Sequence, residues 1–224
     1  MLLAIDTATR IASIALSEPD QVLAEYTWRT NDNHTVELMP SLVKMLDRQG
    51  VEAGRLDGVA VALGPGSFTG LRVGLAVAKA LAFSVDIPLL GIPTLDVLPC
   101  AVREMSLPIW SVIQAGRGRI CYAEYRHETD AWARVSEIEV GTTADLIGCI
   151  QGFAVVCGEL DPSDVAAIRA RLGDAAVITP PVYAVRRAAF LADLAWRRLE
   201  RGERDDIVTL SPIYMHRPET AGHP

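Results

Sequence analysis

A glycine-rich stretch in the first third of the chain carries the strongest chemical signal. It is Gly64-Pro65-Gly66-Ser67-Phe68-Thr69-Gly70, between an apolar strand and a long apolar helix. Such a turn at a helix N-terminus can hold an anion through free backbone N–H groups. The spacing G-x-G-x-x-x-G is one residue longer than a dinucleotide fingerprint, and no Gly-Lys-Ser/Thr follows. Two interpretations stay open: an anion or nucleotide contact, or, as the spacing favours, glycines that permit close backbone packing.

Other residues that could do chemistry are sparse. A helical metal pair would need a second histidine three or four residues after His34, where Glu37 and Leu38 stand, so we predict no metal site. Ser67 lacks the G-x-S-x-G pattern of a nucleophile elbow. Asp6, at the end of the first predicted strand, either binds a metal or polar ligand or is a cap or turn carboxylate. We predict no catalytic residue in this chain.

The charge balance limits the classes of partner. The 224 residues include 21 Lys and Arg against 28 Asp and Glu, a formal net charge of −7, and half of all residues are apolar. A negative chain argues against broad, charge-driven binding of nucleic acid. We therefore expect a substantial core and partners that are proteins or small molecules.

Cysteine usage and the apolar runs indicate the compartment. Cys100, Cys121, Cys149 and Cys157 form no C-x-x-C pair and lie among apolar residues, which predicts buried free thiols in a reducing cytoplasm. The N-terminus lacks the basic region of a signal peptide. No run of about 18 apolar residues occurs; residues 71–85 come nearest but include charged side chains, so we expect no membrane span.

The elements that must position these residues are strands and helices in alternation. The pattern predicts a three-stranded antiparallel meander within 2–28 and a helix at 34–48. A wholly apolar strand at 56–63, typical of a sheet covered on both faces, leads into the glycine-rich turn. Helices at 68–85 and 94–103 follow, with a short strand between them.

The chain is expected to divide into two subdomains and a tail. Residues 1–105 form the N-terminal subdomain, 106–216 a smaller C-terminal subdomain, and 217–224 a disordered tail. The second subdomain ends in an amphipathic helix at 184–201 and an apolar segment, 210–215, that docks back onto the body.

Helices 34–48 and 68–85 have more apolar surface than one core-facing stripe requires. Gly70, Gly74 and Ala78 recur every four residues and form a smooth ridge. We therefore expect an interface with another protein, which a bulky residue at Gly74 would block without unfolding the chain. The residues expected at this interface are Leu38, Leu42, Met45, Leu71, Arg72, Gly74, Leu75 and Ala78.

Three stretches together resemble the TsaB (YeaZ) family. They are Leu-Ala-Ile-Asp-Thr-Ala-Thr at 3–9, Asn-His-Thr at 33–35 leading to Leu-Met-Pro at 38–40, and the glycine-rich stretch 64–74. The last is highly specific and the other two are supportive. The likeness is strong over residues 1 to about 98, and 212–217 loosely match the family's Pro-Leu-Tyr-Leu-Arg ending.

This resemblance implies an α/β fold of the actin/Hsp70-like (ASKHA) class, with two RNase-H-like halves of which the second is reduced. It also implies a noncatalytic scaffold or activating subunit of the TsaB–TsaD–TsaE complex, which installs threonylcarbamoyl on N6 of adenosine 37 of tRNA. TsaD holds the metal and transfers the group, and TsaE is an ATPase, so ATP belongs to the complex and no cofactor is expected on this chain. A homodimer is expected when TsaD is absent. The chain is expected to contact tRNA only as part of the complex.

The sequence departs from its relatives at several positions. TsaD carries H-x-x-x-H, whereas His34 is followed here by Leu38, which removes one metal ligand. Family members usually have Asp-Ala-Arg at the second-half hairpin, where this chain has Gln114-Ala115-Gly116, and commonly a glutamate where Arg119 stands. These changes leave any ligand role of the second half open.

A hypothesis of a different class is an ASKHA-type phosphotransferase or hydrolase that acts alone and uses Asp6. This class includes the family's old label as an M22 glycoprotease. Such enzymes need two phosphate loops and a full second half, and a chain of 224 residues is short for that.

Overall fold

Two sheets organise the chain, which the computed structural model describes over residues 1–30, 34–102, 106–129 and 131–215. The strands of the first sheet are β1 (Leu2–Asp6), β2 (Ile11–Glu18), β3 (Gln21–Arg29), β4 (Gly58–Gly64) and β5 (Leu89–Pro93). Their order is β3-β2-β1-β4-β5. The pairs β1–β2 and β2–β3 are antiparallel, as the predicted meander requires, and β4 and β5 are parallel to β1.

The second sheet repeats this arrangement. Its strands are β6 (Ile109–Gly116), β7 (Arg119–Glu128), β8 (Ala131–Arg134), β9 (Glu139–Gly141), β10 (Ala154–Gly158) and β11 (Ala176–Ile178). The order is β11-β10-β6-β7-β8, and β9 also pairs with β7. Both sheets thus share the order 3-2-1-4-5, with antiparallel first strands and parallel last ones. This confirms the predicted α/β fold of two RNase-H-like halves.

Helices cover both faces of the first sheet. The helices of the chain are α1 (His34–Gln49), α2 (Phe68–Val85), α3 (Thr143–Cys149), α4 (Pro162–Leu172) and α5 (Ala188–Glu200). α1 and α2 share one hydrophobic cluster with one face of β1 and β4, and α5 covers the opposite face. Because both faces are covered, β1 and β4 are buried at every residue.

The prediction of a helix at 94–103 is wrong over the residues of that range that the structure describes, 94–102. The chain instead forms two short 3-10 turns, Thr94–Val97 and Pro99–Ala101. Pro99 lacks a backbone N–H and its ring obstructs the preceding turn, so an α-helix cannot continue through it.

The predicted extent of the second subdomain also needs correction. α5 lies within the expected 106–216 unit but packs on the first sheet, where Ala188, Leu191, Ala192 and Ala195 are buried. The first sheet needs this helix because its second face would otherwise be exposed to water. The apolar segment docks as predicted: the Ile213 N–H donates to the Leu63 carbonyl at 2.8 Å. Residues 103–105 and 216–224, which include the predicted boundary and tail, lie outside the described residues.

α2 is long and apolar enough to cross a membrane by length and composition. In the structure it is a core helix, since Gly70, Leu71, Gly74, Leu75, Ala78 and Ala82 are buried within the chain. All four cysteines are free thiols; Cys121 and Cys157 are buried as predicted, whereas Cys100 and Cys149 are only partly buried.

A partly buried carboxylate within the first 3-10 turn, Asp96, joins the two halves. Asp96 Oδ1 accepts a hydrogen bond of 2.6 Å from the Tyr125 hydroxyl of β7, and Arg134 Nε lies 3.8 Å away. Burial raises the pKa of Asp96, against the smaller lowering effects of Tyr125 and Arg134. The folded chain therefore keeps this proton at pH values at which the unfolded chain has lost it.

The variant Asp96→Asn tests whether the raised pKa of Asp96 makes the stability of the chain depend on pH. The protonated Asp96 stabilises the folded chain below the ordinary pKa of an aspartate. This contribution to the free energy of unfolding is lost as the pH rises through the raised pKa of Asp96 in the folded chain. We expect the melting temperature of Asp96→Asn, relative to the unaltered chain, to increase between about pH 4 and pH 7. The measurement is thermal unfolding across that range, with Asp20→Asn in an exposed turn as the control. A difference that does not change with pH would contradict the assignment.

Candidate functional site

The glycine-rich turn lies against the bend that follows β1. The Ser67 N–H donates to the Ala8 carbonyl at 2.6 Å, and a Cβ at Gly66 would lie 2.2 Å from the same oxygen. Gly64 has a φ of +113°, and a Cβ there would lie 2.7 Å from the Ile213 carbonyl oxygen. The turn needs these glycines because the chain's own backbone approaches it on two sides.

The start of α2 lies equally close to the same bend. The Thr7 hydroxyl donates to the Gly70 carbonyl at 2.7 Å, and Thr7 is buried. A Cβ at Gly74 would lie 2.3 Å from Thr7 Oγ1. The ridge of small residues therefore packs inside the chain, which corrects the expectation that Gly74 could be enlarged without unfolding it.

Part of the turn's hydrogen-bonding capacity is already used. The N–H of Ser67 is bonded to the bend, and Ser67 Oγ caps α2 by accepting from the Gly70 N–H at 3.3 Å. Residues 66–69 are nonetheless exposed. A cavity of about 200 Å³ opens beside them, between the turn and the second-half hairpin, and Arg119 lies in its wall. The close-packing interpretation matches the structure, and the anion or nucleotide contact stays a prediction.

An aromatic and cationic cluster forms the outer surface of the turn. The Arg72 guanidinium lies 3.7 Å over the exposed Phe68 ring, and its Nε donates to the Tyr214 hydroxyl at 2.8 Å. The two rings are 5.2 Å apart. Arg72 is the one exposed member of the predicted interface set. Sequence reasoning missed Tyr214, because nothing local pairs the C-terminal segment with α2.

The remaining predicted interface residues lie in the core, which corrects their assignment to an outer surface. α1 and α2 each pack against the sheet and against each other, so a wide apolar arc is used within the chain. The buried residues of the set are Leu38, Leu42, Met45, Leu71, Gly74, Leu75 and Ala78.

Other apolar side chains face outward from the same two helices. Val36, Met39 and Val43 recur at steps of three and four along α1, and they are 71%, 41% and 48% exposed. Phe83 of α2 is 79% exposed. We call these four residues the outer apolar face. Sequence alone did not select them, because both helices carry more apolar residues than one core-facing stripe requires, and packing decides which of them remain outside.

Asp6 is a turn carboxylate and one partner of a buried ion pair. Its Oδ1 accepts from the Ala8 N–H at 2.8 Å, and its Oδ2 accepts from Arg186 Nε at 3.0 Å. Both side chains are buried. Of the two interpretations of Asp6, the structure therefore supports the turn carboxylate. No sequence signal identified Arg186.

Gln114, in the hairpin that departs from the family's usual sequence, forms hydrogen bonds within the second half. Gln114 Nε2 donates to Asp164 Oδ2 at 2.9 Å and to the Glu159 carbonyl at 3.1 Å. Gln114 thus ties β6 to the start of α4. Among residues 1–30, 34–102, 106–129 and 131–215, no three His, Cys, Asp or Glu side chains are grouped as a metal site would need. His34 is the first residue of α1.

Gly74→Ala should destabilise the chain even though alanine favours helices. The added Cβ meets Thr7 Oγ1, and overpacking of this kind costs about 1–3 kcal/mol. Gly148→Ala, in α3 with open space around the new Cβ, is the matched control and should gain up to about 1 kcal/mol. Chemical denaturation of both variants measures the difference. Equal changes in the free energy of unfolding of the two variants would show that a Cβ fits at Gly74 without displacing Thr7.

Known proteins match this chain in sequence and in structure. The family model "TsaD: tRNA N6-adenosine threonylcarbamoyltransferase" matches residues 21–171. The tRNA threonylcarbamoyladenosine biosynthesis protein TsaB of Bacillus subtilis (strain 168) is 36% identical over 127 residues, which are 57% of this chain and 56% of that protein. The Escherichia coli (strain K12) protein of the same name is 32% identical over 134 residues, 58% of each. The chain thus spans little more than half the length of these curated relatives.

The solved structure of YeaZ from Pseudomonas aeruginosa has the same fold. It superposes with a TM-score of 0.81 at 23% identity and covers 96% of this chain and 99% of its own. The family model accounts for more than half of the 224 residues, and the Bacillus subtilis and Escherichia coli relatives carry the TsaB name. On these grounds, the chain belongs to the TsaB (YeaZ) family.

Proposed function

We propose that this protein is a noncatalytic subunit in the synthesis of threonylcarbamoyladenosine at position 37 of tRNA. In this proposal it activates TsaD by binding it and does no chemistry of its own. The names of its relatives place them in this biosynthesis, and the family model is that of the transferase.

The observation that carries the proposal is the outer apolar face. Its four side chains lie on two helices that pack side by side over one face of the first sheet. Apolar surface removed from water contributes roughly 25 cal/mol per Å², so covering these exposed side chains with a partner would stabilise a complex. The spacing on α1 suits a partner helix laid along it.

The hydrogen bonds that Asp6 makes support a function in which a second chain carries out the catalysis. The alternative, a phosphotransferase or hydrolase that acts alone, would use this carboxylate. Here one oxygen accepts from the Ala8 N–H and the other is paired with Arg186. A carboxylate so engaged is a poor metal ligand or general base, which favours TsaD as the catalytic subunit.

The rest of the proposed complex rests on the family to which the chain belongs. TsaE and its ATP join the pair of TsaB-type chain and TsaD, and tRNA is bound by the assembled complex in the cytoplasm. When TsaD is absent, the outer apolar face pairs two copies of this chain as a homodimer.

The double substitution Met39→Glu, Val43→Glu tests the surface. Two carboxylates on the outer apolar face should weaken binding to TsaD by at least 100-fold, about 2.7 kcal/mol. Co-purification and calorimetric titration with TsaD measure the loss. Val182→Glu, at a similarly exposed valine of the second half, is the control and should bind normally. Full co-purification of the double variant would reject the surface.

Depletion of the protein in its own cells tests the biosynthetic role. Nucleoside analysis of bulk tRNA should show loss of threonylcarbamoyladenosine, restored by the unaltered chain and not by the double variant. Unchanged threonylcarbamoyladenosine after depletion would overturn the proposed function. Calorimetric titration with ATP addresses the alternative, which requires tight binding to the isolated chain.

A further inference from the structure

A buried arginine connects the two halves at the ends of β1 and β10. The side chain of Arg186 has 0% exposure. Its Nε donates to Asp6 Oδ2 at 3.0 Å, its Nη1 to Glu159 Oε1 at 2.6 Å, and its Nη2 to Thr9 Oγ1 at 2.6 Å. All three nitrogens of the guanidinium are therefore engaged, each with a different side chain.

The partners of this guanidinium come from separate parts of the fold. Asp6 and Thr9 flank the first bend of the first half, whereas Glu159 directly follows β10 of the second half. Arg186 itself precedes α5, on the segment that returns to the first sheet. The Thr9 hydroxyl closes the network by donating to Glu159 Oε1 at 2.6 Å. Opening the junction between the halves would break both bonds to Glu159, the one from Arg186 and the one from Thr9.

Electrostatics make the arginine necessary for this junction. Without a cation, Asp6 and Glu159 would be two like charges held near each other with little access to water. Burial alone would lower the pKa of Arg186, but the two carboxylates raise it, so the guanidinium stays charged. Its planar fork can meet several acceptors at once, which an ammonium group cannot do in the same way.

We propose that Asp6 and Glu159 form a cation site between the halves, that its ligand is a guanidinium, and that the chain supplies this ligand itself as Arg186. Arg186 is then a positioning residue that holds the halves in one orientation. This inference is independent of the proposed function, because it concerns only the junction between the halves.

Arg186→Ala with added methylguanidinium tests the site. The variant should lose roughly 10 °C in melting temperature, because the buried Asp6 and the partly buried Glu159 lose their partner. Hydrogen exchange at residues 6–11 and 157–160 should accelerate at least tenfold. Millimolar methylguanidinium should restore at least half of the melting temperature and slow the exchange, whereas equal concentrations of urea, NaCl or MgCl₂ should not.

Arg187→Ala is the matched control. The neighbouring Arg187 is exposed and pairs with Glu25 at the surface. Its loss should cost at most about 2 °C, since surface ion pairs contribute little. Methylguanidinium should leave this variant unchanged, and an equal rescue of Arg187→Ala would overturn the assignment of the site.

Arg186→Lys keeps the proposal testable if Arg186→Ala does not fold. Lysine retains the charge but not the fork, so we expect a smaller loss of melting temperature and faster exchange at 6–11 and 157–160. An unchanged rate of hydrogen exchange at 6–11 and 157–160 in the folded variants would show that Arg186 only fills space and does not fix the orientation of the two halves. Rescue by MgCl₂ or NaCl to the same extent would overturn the guanidinium assignment.

Discussion

The close approach between the first bend and the start of α2 is the constraint on which the rest of the structure depends. The Ala8 carbonyl and the Thr7 hydroxyl come so near to Gly66 and Gly74 that no side chain fits between them. This contact sets the height of α2 over the sheet, and α1 then packs beside α2.

Local pattern was sufficient to predict the elements of the first half as far as β5. The meander, the wholly apolar β4 and the glycine-rich turn each carry a signal within a few residues, and the structure has all three. The buried apolar residues of α1 and α2 could not be told from the exposed ones, because both helices carry more apolar residues than one core-facing stripe requires. Leu38 and Met39 are neighbours of similar hydrophobicity, yet only Leu38 is buried. Tertiary packing, which periodicity does not report, made that choice.

Long-range polar contacts were beyond sequence reasoning for a different reason. Arg186 is followed by a second arginine, and nothing in its neighbourhood distinguishes the buried side chain from the exposed one. Its partners lie in two other parts of the chain, so only the assembled fold brings the four side chains together. The same holds for Tyr214 and Arg72, and for Gln114 and Asp164.

The return of α5 to the first sheet has a consequence for how the chain is made. One face of that sheet stays uncovered until a helix near residue 200 has been synthesised, although its five strands are complete by residue 93. A ribosome-bound chain therefore exposes apolar strands while the whole second half is being added. The core of the first half is therefore complete only after α5 has been made, and its exposed apolar face can associate with other chains until then.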